Sequence, residues 1–343
     1  MTPDRSTIKR HLLSWGSGTP AGLERALTAG GAAATVLVES SEHVAQLRSS
    51  GVIGPRTVVF APDEGHGVTA YEGSASEPGQ ELVLGDFYLQ IQDYATSPYM
   101  TILGPTLVRL FGGEDLAALL EDADAAREQG TFPEFATAPA VQLADLTGLG
   151  LNPAADGPEL RLFVDAAGCI STSTTGVALG SAGATPDELA ARWRELNDAC
   201  KHPDTVCLGA AIDDDERVAA LKSRPWLGRY LLALDALRDL HARGATGVRV
   251  SGFGGRLDER IAERPEPDDE DGPLLLWTGE ASYVRAPQGG RTFELTTEAG
   301  RLAELLLVCG SIAEAGDMAS TSELEQVASM FDRQGVALVR EAR

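Results

Sequence analysis

Lysine is nearly missing from this chain. Lys9, Lys201 and Lys222 stand among 28 basic residues that face 51 acids, for a formal charge of −23. A surface of that sign opposes a phosphate backbone and an anionic membrane, and suits a basic peptide. Long apolar runs are missing too, because Gly, Arg or Asp interrupts each one well short of a membrane span. The first residues, Met1-Thr2-Pro3-Asp4-Arg5, lack the apolar core and cleavage site of a signal peptide, so a cytoplasmic location is expected. Cysteine is scarce: Cys169, Cys200, Cys207 and Cys309 contain no Cys-x2-Cys pair. A zinc site on Cys200, His202 and Cys207 would have to borrow Cys169, and reduced thiols are the simpler expectation.

Catalytic motifs are absent as well. There is no Gly-x-Ser-x-Gly elbow, no His-Glu-x-x-His, no kinase set and no P-loop, since no Gly-Lys-Ser/Thr follows Gly16-Ser17-Gly18. After Val248-Arg249-Val250, the run Ser251-Gly252-Phe253-Gly254-Gly255 places Leu257 where the dinucleotide fingerprint needs glycine. Asp213-Asp214-Asp215-Glu216 reads as the solvated first turn of a helix rather than a magnesium site. His11, His43, His66, His202 and His241 are scattered. The expectation is a chain with no catalytic residue, no bound metal and no cofactor.

What is present is a mixed chain of 343 residues, an α/β or α+β multi-domain protein. Residues 1–152 read as an N-terminal α/β domain. Its Leu23, Ala26 and Leu27 are helix-like, and Ala34–Val38, a helix through Val44 and Leu47, and Thr57–Asp63 form a parallel βαβ unit. Strands at Glu81–Leu84 and Asp86–Gln92 follow, then a helix over Asp115–Gln129 and a shorter one over Val141–Leu146. Residues around Asn152 to Pro158 mark a boundary.

Residues 159–262 read as a middle α+β domain. A hairpin turns at Ala166-Ala167-Gly168, a capped helix begins after Thr185-Pro186-Asp187-Glu188, and a long apolar-striped helix spans about Trp226 to Arg243. The acid- and proline-rich stretch Pro265–Pro273 reads as a linker.

Residues 273–343 read as a C-terminal winged-helix-like module of three antiparallel strands followed by three helices. The strands are Leu274–Trp277, Ala281–Val284 and Arg291–Leu295, with a turn at Pro287-Gln288-Gly289-Gly290. A helix capped by Thr297 carries Leu302, Leu305, Leu306 and Cys309 to Gly310. A second runs over Ile312–Ala319, and a third carries Leu324, Val327, Ala328 and Phe331 after Ser320-Thr321-Ser322.

A recognition helix for DNA needs basic side chains, yet the third helix holds Glu323, Glu325 and Asp332 against Arg333. Over Pro273 to Arg343 the count is six Arg and ten acids, 6 − 10 = −4, which disfavours nucleic acid. A peptide is the compatible partner. The strand from Arg291 to Thr296 is last in the meander and can accept an added strand, with the third helix as the other wall. The candidate peptide-binding residues are Arg291, Thr292, Phe293, Glu294 and Leu295 on the strand and Leu324, Val327 and Phe331 on the helix. The competing interpretation of Phe293, Leu295 and Leu324 is plain core.

The run Arg291-Thr292-Phe293-Glu294-Leu295-Thr296-Thr297-Glu298-Ala299, then Leu302-x-x-Leu305-Leu306, Gly310–Ala315, and Leu324-x-x-Val327 through Phe331 to Val339 resembles the RiPP recognition element. That element is the leader-peptide-binding module of ribosomally made, post-translationally modified peptide pathways. The resemblance covers about a fifth of the chain. Gly85–Tyr94, Ile102–Leu110 and Arg224–Leu231 are similar to the recognition proteins of daptide biosynthesis. This resemblance implies a non-catalytic adaptor that binds a precursor (leader) peptide by β-strand addition and delivers it to modifying enzymes. The partner it implies is an oxidative decarboxylase related to iron-containing alcohol dehydrogenases, with no nucleic acid and no membrane involved. The alternative is a peptide-modifying enzyme with its site in the N-terminal α/β region.

Overall fold

Strand β1 (Thr35–Val38) is buried at every position, as a β-branched run covered on both faces must be. In the computed structural model, which describes residues 4–20, 23, 31–151, 156–200, 205–262, 264, 272–286 and 290–339, helix α2 (Val44–Ser49) carries the chain from β1 to β2 (Val58–Ala61). The two strands pair in parallel with Thr35 opposite Val58, which is the expected βαβ unit. β3 (Thr69–Ala70) adds parallel to β2. On the other side of β1 lies β9 (Arg161–Val164), also parallel. The hairpin partner β10 (Cys169–Ser171) and then β11 (Gly180–Ser181) continue antiparallel, in the order β11-β10-β9-β1-β2-β3.

A single residue, Tyr71, separates β3 from β4 (Glu72–Gly73), and there the chain passes into a second sheet. β5 (Glu81–Leu84), β6 (Phe87–Asp93), β7 (Thr106–Arg109) and β8 (Val141–Leu143) complete the order β4-β5-β6-β7-β8. β6, β7 and β8 run parallel, and β4 and β5 antiparallel. Strand alternation then sorts the core. Leu37, Phe60 and Phe163 pack with Leu82, Leu89, Ile91 and Leu107 and with Leu12 and Trp15 of helix α1 (Arg5–Ser17). Val36, Val38 and Val164 belong to a separate cluster with Leu47 and Leu189.

Two compact units result, Met1–Leu119 with Ala140–Ser223, and Leu120–Pro139 with Arg224–Arg343. The stretch 159–262, expected as a domain of its own, is divided between them. Helix α3 (Gly113–Gln129) begins in the first and ends in the second. The first also holds α4 (Pro186–Ala199), opened by the expected capping box of Thr185 and Glu188, and α5 (Asp214–Ser223). Among the described residues no helix is long and apolar enough to cross a membrane.

The second unit contains α6 (Leu227–Ala242), whose Leu227, Tyr230, Leu231, Leu234, Leu237 and Leu240 are all buried. Its sheet has the order β12-β13-β14-β15, with β12 (Arg249–Val250), β13 (Leu274–Trp277), β14 (Ser282–Arg285) and β15 (Thr292–Leu295), all antiparallel. Helices α7 (Thr297–Cys309), α8 (Ile312–Ala315) and α9 (Thr321–Asp332) follow.

Several local expectations change. Val141–Leu146 is not a helix: Val141 and Leu143 are buried with Gln142 between them, a period of two that sheet pairing with β7 selects. Gly16-Ser17-Gly18, which carries no P-loop, forms the end of α1, where Gly18 takes the left-handed cap conformation (φ 75°). The meander gains β12 as a fourth strand, with Val250 opposite Leu276. Thr296 rather than Thr297 caps α7, and α8 is a single turn. Ala26, Leu27, most of the boundary near Asn152, the linker up to Asp271, His202 and the turn residues 287–289 lie outside the described residues.

The first unit encloses a charge cluster. The Arg161 side chain is fully buried. Its Nε and Nη2 donate to the two Asp156 oxygens at 2.8 and 2.6 Å, and Nη1 donates to Asp145 Oδ1 and the Trp15 carbonyl, both at 2.7 Å. Removing one partner of such a set leaves an uncompensated buried charge. Arg161→Ala is therefore expected to cost about 3–5 kcal/mol. Urea denaturation checks this, and a cost near zero would mean the cluster contributes no pairing.

His11 on α1 is also buried and shares a 2.7 Å hydrogen bond between its Nδ1 and Thr35 Oγ1. Burial, then the neighbouring Arg10, lowers its pKa from the ordinary 6.5 to about 4. The folded chain resists a proton that the unfolded chain accepts. The stability His11 contributes is therefore complete above pH 6.5 and lost as pH falls from 6.5 towards 4. His11→Gln is expected to flatten the melting-temperature profile in that window, and an unchanged slope would assign it to other groups.

Candidate functional site

β15 ends its sheet, and among the described residues no strand pairs with its outer side. Its ladder to β14 places Thr292 opposite Arg285, Phe293 opposite Val284, Glu294 opposite Tyr283 and Leu295 opposite Ser282. The Ala286 amide donates to the Arg291 carbonyl at 2.9 Å. Antiparallel pairs alternate between bonded and non-bonded, so Arg291, Phe293 and Leu295 turn their backbone groups towards β14. The N–H and C=O of Thr292 and Glu294 therefore face the open edge.

Side chains alternate across the sheet in the same way. Phe293 and Leu295 are half-buried against the core of α7, α8 and α9. The rings of Phe293 and Phe331 meet edge to face, with centroids 5.4 Å apart, which sets α9 beside the strand. Arg291 closes this contact. Its guanidinium lies 5.5 Å over the Phe293 ring, and Nη2 donates to the Gln334 carbonyl just after α9 at 2.7 Å.

Thr292 and Glu294 point to the opposite face. With Tyr283 of β14 and Leu240, Arg243, Gly244 and Ala245 at the end of α6 they line an open depression of about 260 Å³. Arg285 anchors the strands beside it. Its Nη1 donates to Thr292 Oγ1 at 3.0 Å and to Asp239 Oδ2 of α6 at 3.2 Å, and its Nη2 pairs with Asp235. Asp239 also pairs with Arg243 at 2.7 Å. Thus the lip of the depression carries one cation and one exposed carboxylate, Glu294.

A third support lies under α7. Glu304 has no exposed surface and accepts from Ser251 Oγ at 2.6 Å, the Leu257 amide at 3.0 Å and the Asp258 amide at 2.7 Å. Burial raises its pKa above the usual carboxylate range, and these donors oppose the rise. This side chain ties the segment after β12 to α7.

The eight candidate residues therefore separate. Arg291 and Glu294 are exposed, and Thr292, Phe293 and Leu295 are half-buried along the open edge. Leu324, Val327 and Phe331 are buried within the core. Arg285, Asp239, Tyr283 and Arg243 were not foreseen as part of this edge. The polar alternation of Thr292 and Glu294 was the available signal that the strand has a second face. Among the described residues no cluster of His, Cys, Asp or Glu could hold a metal ion, and all four cysteines are free thiols.

No protein-family model matches the chain, and neither a curated protein nor a solved structure matches it.

Phe331 is only 1% exposed. Phe331→Ala is expected to destabilise the second unit by about 3–5 kcal/mol, as for other buried aromatics. Denaturation measures this, and a loss below about 1 kcal/mol would return Phe331 to the list of surface binding residues.

Proposed function

We propose that the chain is a non-catalytic adaptor that captures the leader of a precursor peptide as an added strand on β15. The observation that carries this reading is the open edge of Thr292 and Glu294, backed on one face by α9 and bordered on the other by the Arg243 depression. An extended peptide satisfies both its own backbone groups and those of the edge. Its side chains then alternate between the α9 side and the depression. The strands and helices from Leu274 to Asp332 form, on this reading, a winged-helix-like RiPP recognition element.

The deficit of −4 over Pro273 to Arg343 also favours a peptide over nucleic acid. Within this proposal the pathway is daptide-like. The peptide is handed to modifying enzymes, among them an oxidative decarboxylase related to iron-containing alcohol dehydrogenases, and the chain acts in the cytoplasm.

Titration of fluorescently labelled leader peptide against the full chain tests the reading. Glu294→Pro removes one outward N–H while leaving the ladder to β14 intact, a change that edge strands tolerate. Leader affinity is expected to fall at least about tenfold with little change in melting temperature, since one backbone hydrogen bond and its register are lost. Glu294→Ala keeps the N–H and is expected to bind within about threefold of wild type. Equal binding by the proline variant and wild type would remove strand addition at β15. Turnover of precursor by the chain alone would favour a peptide-modifying enzyme instead.

A further inference from the structure

Among the described residues, the large apolar side chains that are exposed all fall within five consecutive positions: Tyr99 at 87%, Met100 at 48% and Leu103 at 71%. They lie on the connection between β6 and β7 in the first unit. The neighbouring strands bury their own apolar residues, with Leu89, Ile91 and Leu107 at 0%. Scattered surface hydrophobes are ordinary, whereas a cluster of them on one loop is a feature of interaction sites.

The loop is also built to hold these side chains outward. At its start, the Thr96 amide and hydroxyl donate to the Asp93 carboxylate at 2.7 and 2.8 Å, and the Tyr99 amide donates to the Thr96 carbonyl at 2.9 Å. At its end, Tyr88 Oη donates to the Leu103 carbonyl at 2.9 Å, and the Leu103 amide donates to Gln90 Oε1 at 3.2 Å. Gly104 lets the chain pass, because a Cβ there would collide with the Tyr88 hydroxyl. Both flanks of the apolar triplet are thus tied to β6. A partner meets a pre-formed knob and loses little ordering entropy on binding it.

The charge around the knob selects the occupant. From Thr57 to Val108 the sequence has seven acids (Asp63, Glu64, Glu72, Glu77, Glu81, Asp86, Asp93) and no Lys or Arg; Asp86 is paired with Arg5 of α1 at 2.8 Å, and Asp93 and Glu81 are the acids placed beside the loop. Asp93 closes the start of the loop. Glu81 is exposed and sits opposite Gln90, which closes the end. An anionic lipid surface or nucleic acid is repelled by this setting, and a second copy would bring together two chains of −23 each. We propose that Tyr99, Met100 and Leu103 form a docking knob for a different protein, one that presents an apolar pocket rimmed by Lys or Arg. The acids steer and align that partner, and the apolar triplet supplies the lasting contact. This inference concerns a surface of the first unit and stands independently of leader binding at β15.

A photo-crosslinking amino acid placed at Met100 of the full chain, expressed in its producing cell, tests it, with the same probe at exposed Glu42 as control. The expected result is a protein adduct specific to position 100, with crosslinked peptides neighbouring Lys or Arg. That protein, once purified, is expected to bind the full chain with an affinity that falls as salt rises. The combined variant Tyr99→Ser, Met100→Ser, Leu103→Ser is expected to bind it at least about tenfold more weakly with an unchanged melting temperature. The proposal is overturned by adducts only to a second copy, lipid or nucleic acid, by no adduct beyond the control, or by equal affinity of variant and wild type.

Discussion

A guanidinium with no exposed surface depends on the partners its nitrogens find, and in Arg161 every nitrogen finds one. Arg161 stands at the first residue of β9 and is answered by Asp156 before its own strand, by Asp145 after β8, and by the carbonyl of Trp15 in α1. Desolvating such an ion costs several kcal/mol, and the attraction offsets that cost only with good geometry. Asp145 takes a left-handed conformation (φ 52°) that non-glycine residues seldom adopt, and both its carboxylate and its backbone take part in the arrangement. Its amide donates to the Gly16 carbonyl at 3.1 Å. One residue thereby draws the end of α1, the exit of the second sheet and the entry of β9 to a common point.

The second unit meets the same constraint with opposite sign. Glu304 carries a buried carboxylate on α7, and two amides and a hydroxyl from 251–258 converge on it. Arg285 does the corresponding task on the other face of the sheet by gripping Asp235 and Asp239 of α6 and the hydroxyl of Thr292. With its sheet held on both faces, β15 is presented as a firm edge. A firm edge suits strand addition, because the acceptor need not be ordered when the peptide arrives.

The two proposed surfaces use different physics. At β15 the unmet quantity is backbone hydrogen bonding, which recognises extended peptide of many sequences and takes selectivity from the side-chain pockets beside it. At the loop of Tyr99, Met100 and Leu103 the unmet quantity is apolar area, which recognises a shaped pocket, with charge setting the partner class. An adaptor needs both kinds of contact if it is to hold a variable peptide and a constant partner.

Periodicity alone determined much of the secondary structure. The mostly apolar runs at Thr35–Val38 and Val58–Ala61, the capping box at Thr185, the stripe of α6 and the meander of β13, β14 and β15 were all legible, because each is set by neighbours within a few residues. The candidate strand could be read in the same way, since a strand last in a meander is an edge unless something distant covers it. Tertiary structure alone decided the rest. Val141–Leu143 is a strand because β7 lies beside it. Val248-Arg249-Val250 reads as a strand in the sequence, but it joins the meander as a fourth member, as Arg249–Val250, because Leu276 and Trp277, distant in sequence, pair with it. Leu324, Val327 and Phe331 are core rather than groove because the helix side that packs inward depends on partners remote in sequence. The pairing of Arg161 with Asp145 and Asp156, like the exposure of Tyr99, Met100 and Leu103, depends on which surfaces the fold closes over, and no local pattern of residues carries that information.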